Sequence, residues 1–430
     1  MNYYKRTADA LLQDLLDAFG AVLIEGPKWC GKTTTASQLA NSILRMQDPS
    51  MREEYLATAK TKPSILLKGD TPRLIDEWQD APMLWDAVRK TVDDRQIPGQ
   101  FILTGSNAVD KSQIHHSGAG RIARLRMLPM SLWESQESTG EVSLKELFNN
   151  PDYDIDGKMS KMTVEDLIFA ASRGGWPASL LARTPKAQLL VAKNYVQTIC
   201  SDDVSGIDGK KRDAKLTSMI LRAYARNVST LVKKKSLLDD VTSSGEVSCH
   251  VDTFDDYVSA LEKLFVIQNI SAWCPAIRSK TAIRSSVKRC FCDPSIPIAL
   301  LGLSPESLSM QLRTFGFIFE QMCIRDLKAY TIDLNSHVSY YHDRYDLEAD
   351  IVLHLEDGRY ALIECKLGSS EIDEGAKHLL ELKRLIQEHN KTEKQVPIRE
   401  PDLLIVMTGG TMAYSRPDGV KVIPLACLKD

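Results

Sequence analysis

The chain has 430 residues, 43% hydrophobic and 26% charged, with 54 Lys and Arg against 57 Asp and Glu and a net charge of −3. That length exceeds one ordinary core and predicts about two to four domains; the near balance of charge gives no global field for nucleic acid or membrane, so any such partner must meet a local patch. No apolar run approaches the roughly 20 residues that span a bilayer, and the opening Met1-Asn2-Tyr3-Tyr4-Lys5-Arg6 lacks the apolar core of a signal peptide; with nine scattered cysteines and no C-x-x-C pair, a cytoplasmic protein with free thiols and no membrane partner is expected.

Residues 7–19 carry apolar side chains at helical spacing up to Gly20, which predicts an amphipathic helix beside the first strand. The apolar run Ala21-Val22-Leu23-Ile24 then delivers Gly26-Pro27-Lys28-Trp29-Cys30-Gly31-Lys32-Thr33, a full G-x-x-x-x-G-K-[ST] match, into a helix start at Thr33, Thr34 and Thr35. In such a turn the backbone N–H groups and the positive helix end cradle nucleotide phosphates. Lys32 is then expected on the β/γ oxygens and the Thr33 hydroxyl on Mg²⁺.

Ser64-Ile65-Leu66-Leu67 is a short strand candidate, followed by Leu74-Ile75, which ends in Asp76-Glu77. A carboxylate at the tip of a neighbouring strand completes a metal shell and an adjacent one polarises water, so Asp76 is assigned to Mg²⁺ and Glu77 to the attacking water. The next strand candidate, from Gln100, ends in Thr104-Gly105-Ser106-Asn107; Thr104, Ser106 or Asn107 would sense the γ-phosphate, the alternative being an ordinary glycine turn. In the loop that also bears Lys111, His115 and His116 lack nearby acidic or Cys partners and read as a solvated loop rather than a metal site. Alternation from Ile122 to Met127 predicts another strand, and Arg121 before it is an arginine-finger candidate in its own or a neighbouring subunit, which leaves an oligomer open.

The phosphate loop, Leu74-Ile75-Asp76-Glu77, Leu103-Thr104-Gly105-Ser106 and Gly120-Arg121 with Leu128-Pro129-Met130-Ser131-Leu132, in this order, resemble the AAA-type ATP-binding proteins of bacteria and archaea that carry a C-terminal domain of unassigned function. The resemblance implies ATP and Mg²⁺ as ligands, ATP binding and hydrolysis through Lys32, Thr33, Asp76 and Glu77, and a basic residue, Arg6, near the nucleotide. A Gly-Gly-aromatic-Pro turn, here Gly174-Gly175-Trp176-Pro177, also recurs in that family. The likeness covers essentially the whole chain, but motifs of high specificity occupy only its first third.

Residues near 137 to 162 are polar and turn-rich and read as a loop or linker that ends the ATPase core, Thr163 caps a helix to about Ser172, and a helix from about Ala187 to Cys200 is expected as a lid over the nucleotide. The middle third reads as helices, with Leu216, Met219, Ile220, Ala223 and Tyr224 at helical spacing among Lys210, Lys211, Arg212, Lys215, Arg222, Arg226, Lys233, Lys234 and Lys235. A further helix (252–264) and a strand (266–270) suggest a winged helix, whose cations either meet DNA phosphates or form a solvated face.

The last third offers a helix carrying Glu320, strands at 337–341, 348–355 and 360–366 with an Asp357-Gly358 hairpin turn, a helix over 373–389 and a strand at 403–407. A period of two puts Glu364 and Lys366 on one strand face, with Asp350 near the start of the preceding strand. This is the D…E-x-K arrangement of restriction-endonuclease-like nucleases, in which the acids, with Glu320, would hold Mg²⁺ and Lys366 would act on water; domains that keep this fold and lose its chemistry are the alternative.

The expected architecture is α/β multidomain: an AAA-type P-loop ATPase core with a parallel sheet (1–137), a helical lid and linker (138–205), a winged-helix-like region (206–280) and an endonuclease-like α/β domain (281–430). The expected function is ATP hydrolysis coupled to a C-terminal domain that acts on or binds DNA. The alternative is a nucleotide-gated binding or regulatory protein with a catalytically silent nuclease-like domain.

Overall fold

The computed structural model describes residues 3–105, 117–207, 209–243, 245–274, 286–343, 345–392 and 397–430. Ser106, Asn107, Lys111, His115 and His116 lie outside the described residues.

Helix α1 (Ala8–Ala18) leads into β1 (Ala21–Glu25), and the phosphate loop joins β1 to α2 (Lys32–Leu39). With β2 (Ser42–Arg45), β3 (Arg73–Asp76), β4 (Phe101–Gly105) and β5 (Ile122–Arg126), β1 forms a five-stranded sheet in the order β2-β3-β4-β1-β5, every pair parallel. Both faces are covered, which explains the unbroken apolar run of β1. Val22 and Ile24 pack with Leu12, Leu16 and Ala36 of α1 and α2. Ala21 and Leu23 pack with Leu84, Trp85 and Val88 of α4 (Met83–Arg95), beyond α3 (Arg52–Thr61).

The strand expected at Ser64–Leu67 does not form: Pro63, which lacks an N–H for a ladder, opens a 3₁₀ turn over Pro63–Ile65. The outer strand is instead β2, which buries only Leu44. Such an edge strand carries little hydrophobic pattern.

The segment 138–162 is not a free linker. Its short strand β6 (Val142–Ser143) pairs in parallel with β13 (Leu428–Lys429) near the far end of the chain, and α5 (Leu144–Asn149) follows. Helix α6 (Val164–Arg173) starts at a Thr163/Asp166 capping box, and α7 (Pro185–Thr198) runs into a π-turn, Ile199–Asp203. Helices α8 (Ala214–Arg226), α9 (Lys234–Thr242) and α10 (Val251–Lys263) precede an antiparallel ribbon in which Ile267 faces Phe291 and Ile270 faces Lys288. Much of the expected basic patch is neutralised here: Lys210 and Arg212 pair with Asp256, Lys215 with Glu246, Arg226 with Asp240 and Lys234 with Asp255.

Helix α11 (Leu312–Tyr330) leads into β7 (His337–His342), β8 (Glu348–His354) and β9 (Tyr360–Lys366), an antiparallel meander. Helix α12 (Ile372–Thr392) crosses over to β10 (Leu403–Thr408), parallel to β9; β12 (Lys421–Pro424) and β11 (Tyr414–Ser415) complete a sheet ordered β11-β12-β10-β9-β8-β7. Alternation along the strands decides the packing. Ile351, Leu353, Ile363 and Ile405 meet the apolar face of α11, while Val352, Leu362, Leu404 and Val406 meet Ala376, Leu379 and Leu382 of α12. Among the described residues no helix is long and apolar enough to cross a membrane.

Candidate active site

The loop after β1 has the conformation its glycines allow. Gly26 has φ 153°, and a Cβ there would stand 2.2 Å from the Met127 carbonyl oxygen, so the strand can leave the sheet this close to β5 only as glycine. Gly31, at φ 101°, turns the chain into α2 and aims the first-turn N–H groups of that helix at the loop's concave side. The Lys32 side chain folds over the loop, and its Nζ donates to the carbonyls of Gly26 (3.0 Å) and Pro27 (2.8 Å).

At the strand tips the expected partners come together. Thr33 Oγ1 donates to Asp76 Oδ1 at 2.7 Å, and Thr104 Oγ1 donates to the same oxygen at 2.6 Å. Parallel register causes this, because Asp76 and Thr104 are Cα partners across β3 and β4. A hydroxyl and a carboxylate oxygen so close together form a hard donor set that fits Mg²⁺. Glu77, next along, takes a left-handed conformation (φ 55°) at the start of the 3₁₀ turn Trp78–Asp80, and Gln79 Nε2 donates to its Oε2.

Arg6, expected beside the nucleotide, braces the loop. Its Nη1 donates to the Cys30 carbonyl (2.7 Å), Nη2 to the Leu128 carbonyl (2.7 Å) and Nε to Glu134 Oε1 (2.9 Å). Burial alone would push the Glu134 carboxyl up, but the Arg6 charge and the backbone N–H groups of Ser131 and Thr7 hold it below the usual carboxylate value. Neither Arg6–Glu134 nor its bonds to the loop were legible from spacing.

Arg121 takes a different place from the one expected of a finger within its own subunit. It precedes β5, its carbonyl accepts from Ala21 N at the start of β1, and its guanidinium is 2.8 Å from Asp93 of α4. The phosphate loop leaves the other end of β1, and five strand residues separate the two ends by about 17 Å.

A cleft of about 1780 Å³ opens over the loop, walled on one side by Lys32, Thr33 and Glu77 and on the other by Leu190, Lys193 and Asn194 of α7. Two contacts hold α7 and its π-turn to the loop: Lys28 Nζ lies 2.6 Å from Asp203, and the Trp29 ring sits 5.4 Å from that of Tyr195. Pro27, Cys30 and Thr34 complete the expected loop set; Cys30 is buried and Thr34 lines the cleft.

The three C-terminal acids divide between two lysines. Lys288, brought in from the ribbon and missed in the sequence, bonds through Nζ to Glu320 Oε1 and to the Asp350 carbonyl (2.9 Å), and lies 3.8 Å from Asp350 Oδ1. Glu364 pairs with Lys366 at 3.0 Å, with His378 Nδ1 3.8 Å away. Burial opposes the Lys288 charge, yet Glu320 and Asp350 outweigh it and hold its pKa above the ordinary lysine value. Burial, with the Asp350 charge added, pushes Glu364 up to about 9. Among the described residues no group of three or more His, Cys, Asp or Glu is arranged to hold a metal ion. An ammonium group occupies the oxygen cage expected for Mg²⁺.

Loop, strand-tip carboxylate and doubly covered parallel sheet define the class: an α/β multidomain protein with a P-loop ATPase-like N-terminal domain. Residues 18–136 match the family profile described as an AAA domain. Residues 164–307 and 315–428 match two domains of unknown function, DUF8612 and DUF4143. Uncharacterized proteins of Mycobacterium tuberculosis and Mycobacterium bovis are each 24% identical over 366 residues, 83% of this chain and 72% of theirs. A Walker-type ATPase of Pyrococcus abyssi superposes with a TM-score of 0.41 at 13% identity, over 70% of this chain and 96% of that one.

Proposed function

We propose that the chain is a Mg²⁺-dependent ATPase whose nucleotide state is passed to a C-terminal domain that binds a partner without cutting it. The convergence of Thr33 and Thr104 on Asp76, beside Lys32 and Glu77, carries the reading. In this mechanism the loop N–H groups and Lys32 hold the β- and γ-phosphates, and Thr33 and Asp76 would hold Mg²⁺. Bound Mg²⁺ would neutralise charge on the phosphate oxygens. Glu77, oriented by Gln79, takes a proton from the attacking water. The P-loop lysine makes the test: with Lys32→Ala, steady-state phosphate release should fall about a hundredfold, in the range of a lost charge stabiliser. Equal rates in the two proteins would sink the assignment.

Buried bonds join the ATPase core to the C-terminal domain and support coupling. Ser131 donates to Glu134, the partner of Arg6; Leu132 N donates to Asp326 of α11; and Arg325, next to Asp326, pairs with Asp293, which also accepts from Gly175 N. We read the ribbon and helices α8–α10 as a winged helix used for packing, because so many of its cations are already paired.

Lys288 favours the silent form of the nuclease-like domain. Its single positive charge sits against Glu320 and Asp350, and burial pushes up the carboxyls of both Glu320 and Glu364, which holds Glu364 protonated at neutral pH. Incubation of plasmid DNA with the purified chain and Mg²⁺ or Mn²⁺ should give no nicking. Nicking abolished by Asp350→Ala and Lys366→Ala would restore the nuclease reading.

A further inference from the structure

A second cavity, of about 680 Å³, lies where all three regions of the chain meet. The end of β5 contributes Arg126, the ribbon and α10 contribute Asn269 and Glu262, and the last turn of α11 contributes Lys328. We propose that this cavity binds a small phosphate-bearing anion, held between Arg126 and Lys328, separately from the nucleotide cleft.

Unbalanced charge carries the proposal. Among the described residues neither Arg126 nor Lys328 has an ion-pair partner; the Arg126 guanidinium rests 4.8 Å from the centre of the Phe265 ring. The acids that line the cavity already have partners of their own. Asp255 pairs with Lys234 at 2.9 Å, and Glu262 accepts from Asn269 at 3.1 Å while burial raises its pKa. Arg289 adds a further positive charge to the wall; its guanidinium bonds to the oxygens of Tyr224 and Val232, and its charge is felt by Glu262. Burial, with the neighbouring Arg126 charge, depresses the Lys328 pKa, so the fold bears a cost that a bound anion would relieve.

The size of the cavity suits one small ligand, since pockets for such molecules run from about 300 to 1,000 Å³. Its polar lining, including Asn269, Ser271 and Ser336, offers neutral groups to the phosphate oxygens. The competing explanation is that Lys328 serves only the carbonyl end of α11, where a cation is favourable.

Calorimetric titration of the full chain with pyrophosphate, with the phosphate loop saturated by MgADP and again in Lys32→Ala, separates these. One saturable pyrophosphate site should appear in both settings. Lys328→Met and Arg126→Gln should each weaken it about tenfold or more, the loss expected for one charge-assisted bond, while Lys328→Met leaves the melting temperature unchanged or higher. Absence of a second site overturns the proposal, as does unchanged affinity in Lys328→Met with a lowered melting temperature. Displacement of pyrophosphate by equimolar single-stranded oligonucleotide would also overturn it, since the ligand would then be a nucleic-acid strand.

Discussion

Arg6→Met keeps the aliphatic stem and removes the guanidinium that ties Cys30 and Leu128 to Glu134. Removing one partner of a buried ion pair costs about 3–5 kcal/mol, because the other charge is left without its counter-ion. Here Glu134 keeps four donors, the N–H and hydroxyl of Thr7 and those of Ser131, at 2.8–3.0 Å. Those bonds place the expected loss near the lower bound, about 3 kcal/mol. In a double-mutant cycle with Glu134→Gln, the summed losses of the single variants should exceed the loss in the double variant by at least about 1 kcal/mol, a coupling typical of residues in direct contact. Denaturant unfolding followed by tryptophan fluorescence measures both numbers, and calorimetry should show weaker ATP binding in Arg6→Met because the Cys30 carbonyl loses its anchor. A loss under about 1 kcal/mol, the scale of an exposed pair, or strict additivity in the double variant, would refute the bracing role.

Thr104→Val removes one of the two hydroxyls that donate to Asp76 Oδ1, so the carboxylate loses orientation while the loop is untouched. Mg²⁺-dependent phosphate release should fall about tenfold, the scale of one charge-assisted bond, with ADP affinity in EDTA unchanged; equal loss in both would place Thr104 in general folding instead. Glu364 gives a pH prediction. Its folded pKa, near 9, is raised above the ordinary carboxylate value, so the folded state holds a proton that the unfolded chain has released. Its contribution is fully present below the unfolded pKa and declines as pH rises toward 9. Glu364→Gln should therefore gain stability relative to wild type between pH 5 and pH 8.5 in parallel denaturation series. A constant difference across those pH values would contradict the raised pKa.

The N-terminal site was legible because its chemistry is local. Glycines of fixed spacing, a lysine and an Asp-Glu pair after apolar runs specify a phosphate loop and a strand tip, and parallel register brings Thr33, Asp76 and Thr104 together. Arg6–Glu134 joins residues 128 apart in sequence, and no periodicity announces such a pair. Arg121 was legible as a residue before a strand, but only the parallel direction of β5 shows that this end faces away from the loop. In the last third, alternation foretold the three strands and the shared face of Glu364 and Lys366. Lys288 arrives from a ribbon outside that pattern and pairs with Glu320 and Asp350, which the alternation of the strands does not announce.

Single-turnover hydrolysis by Glu77→Gln, with ATP binding measured separately on the same protein, bears most directly on the ATPase. Glutamine keeps the shape and the contact with Gln79 but cannot take a proton. ATP affinity should stay within about threefold of wild type, while the hydrolysis rate falls by about a hundredfold or more, the range ascribed to general base catalysis. Hydrolysis at the wild-type rate in Glu77→Gln would contradict the account.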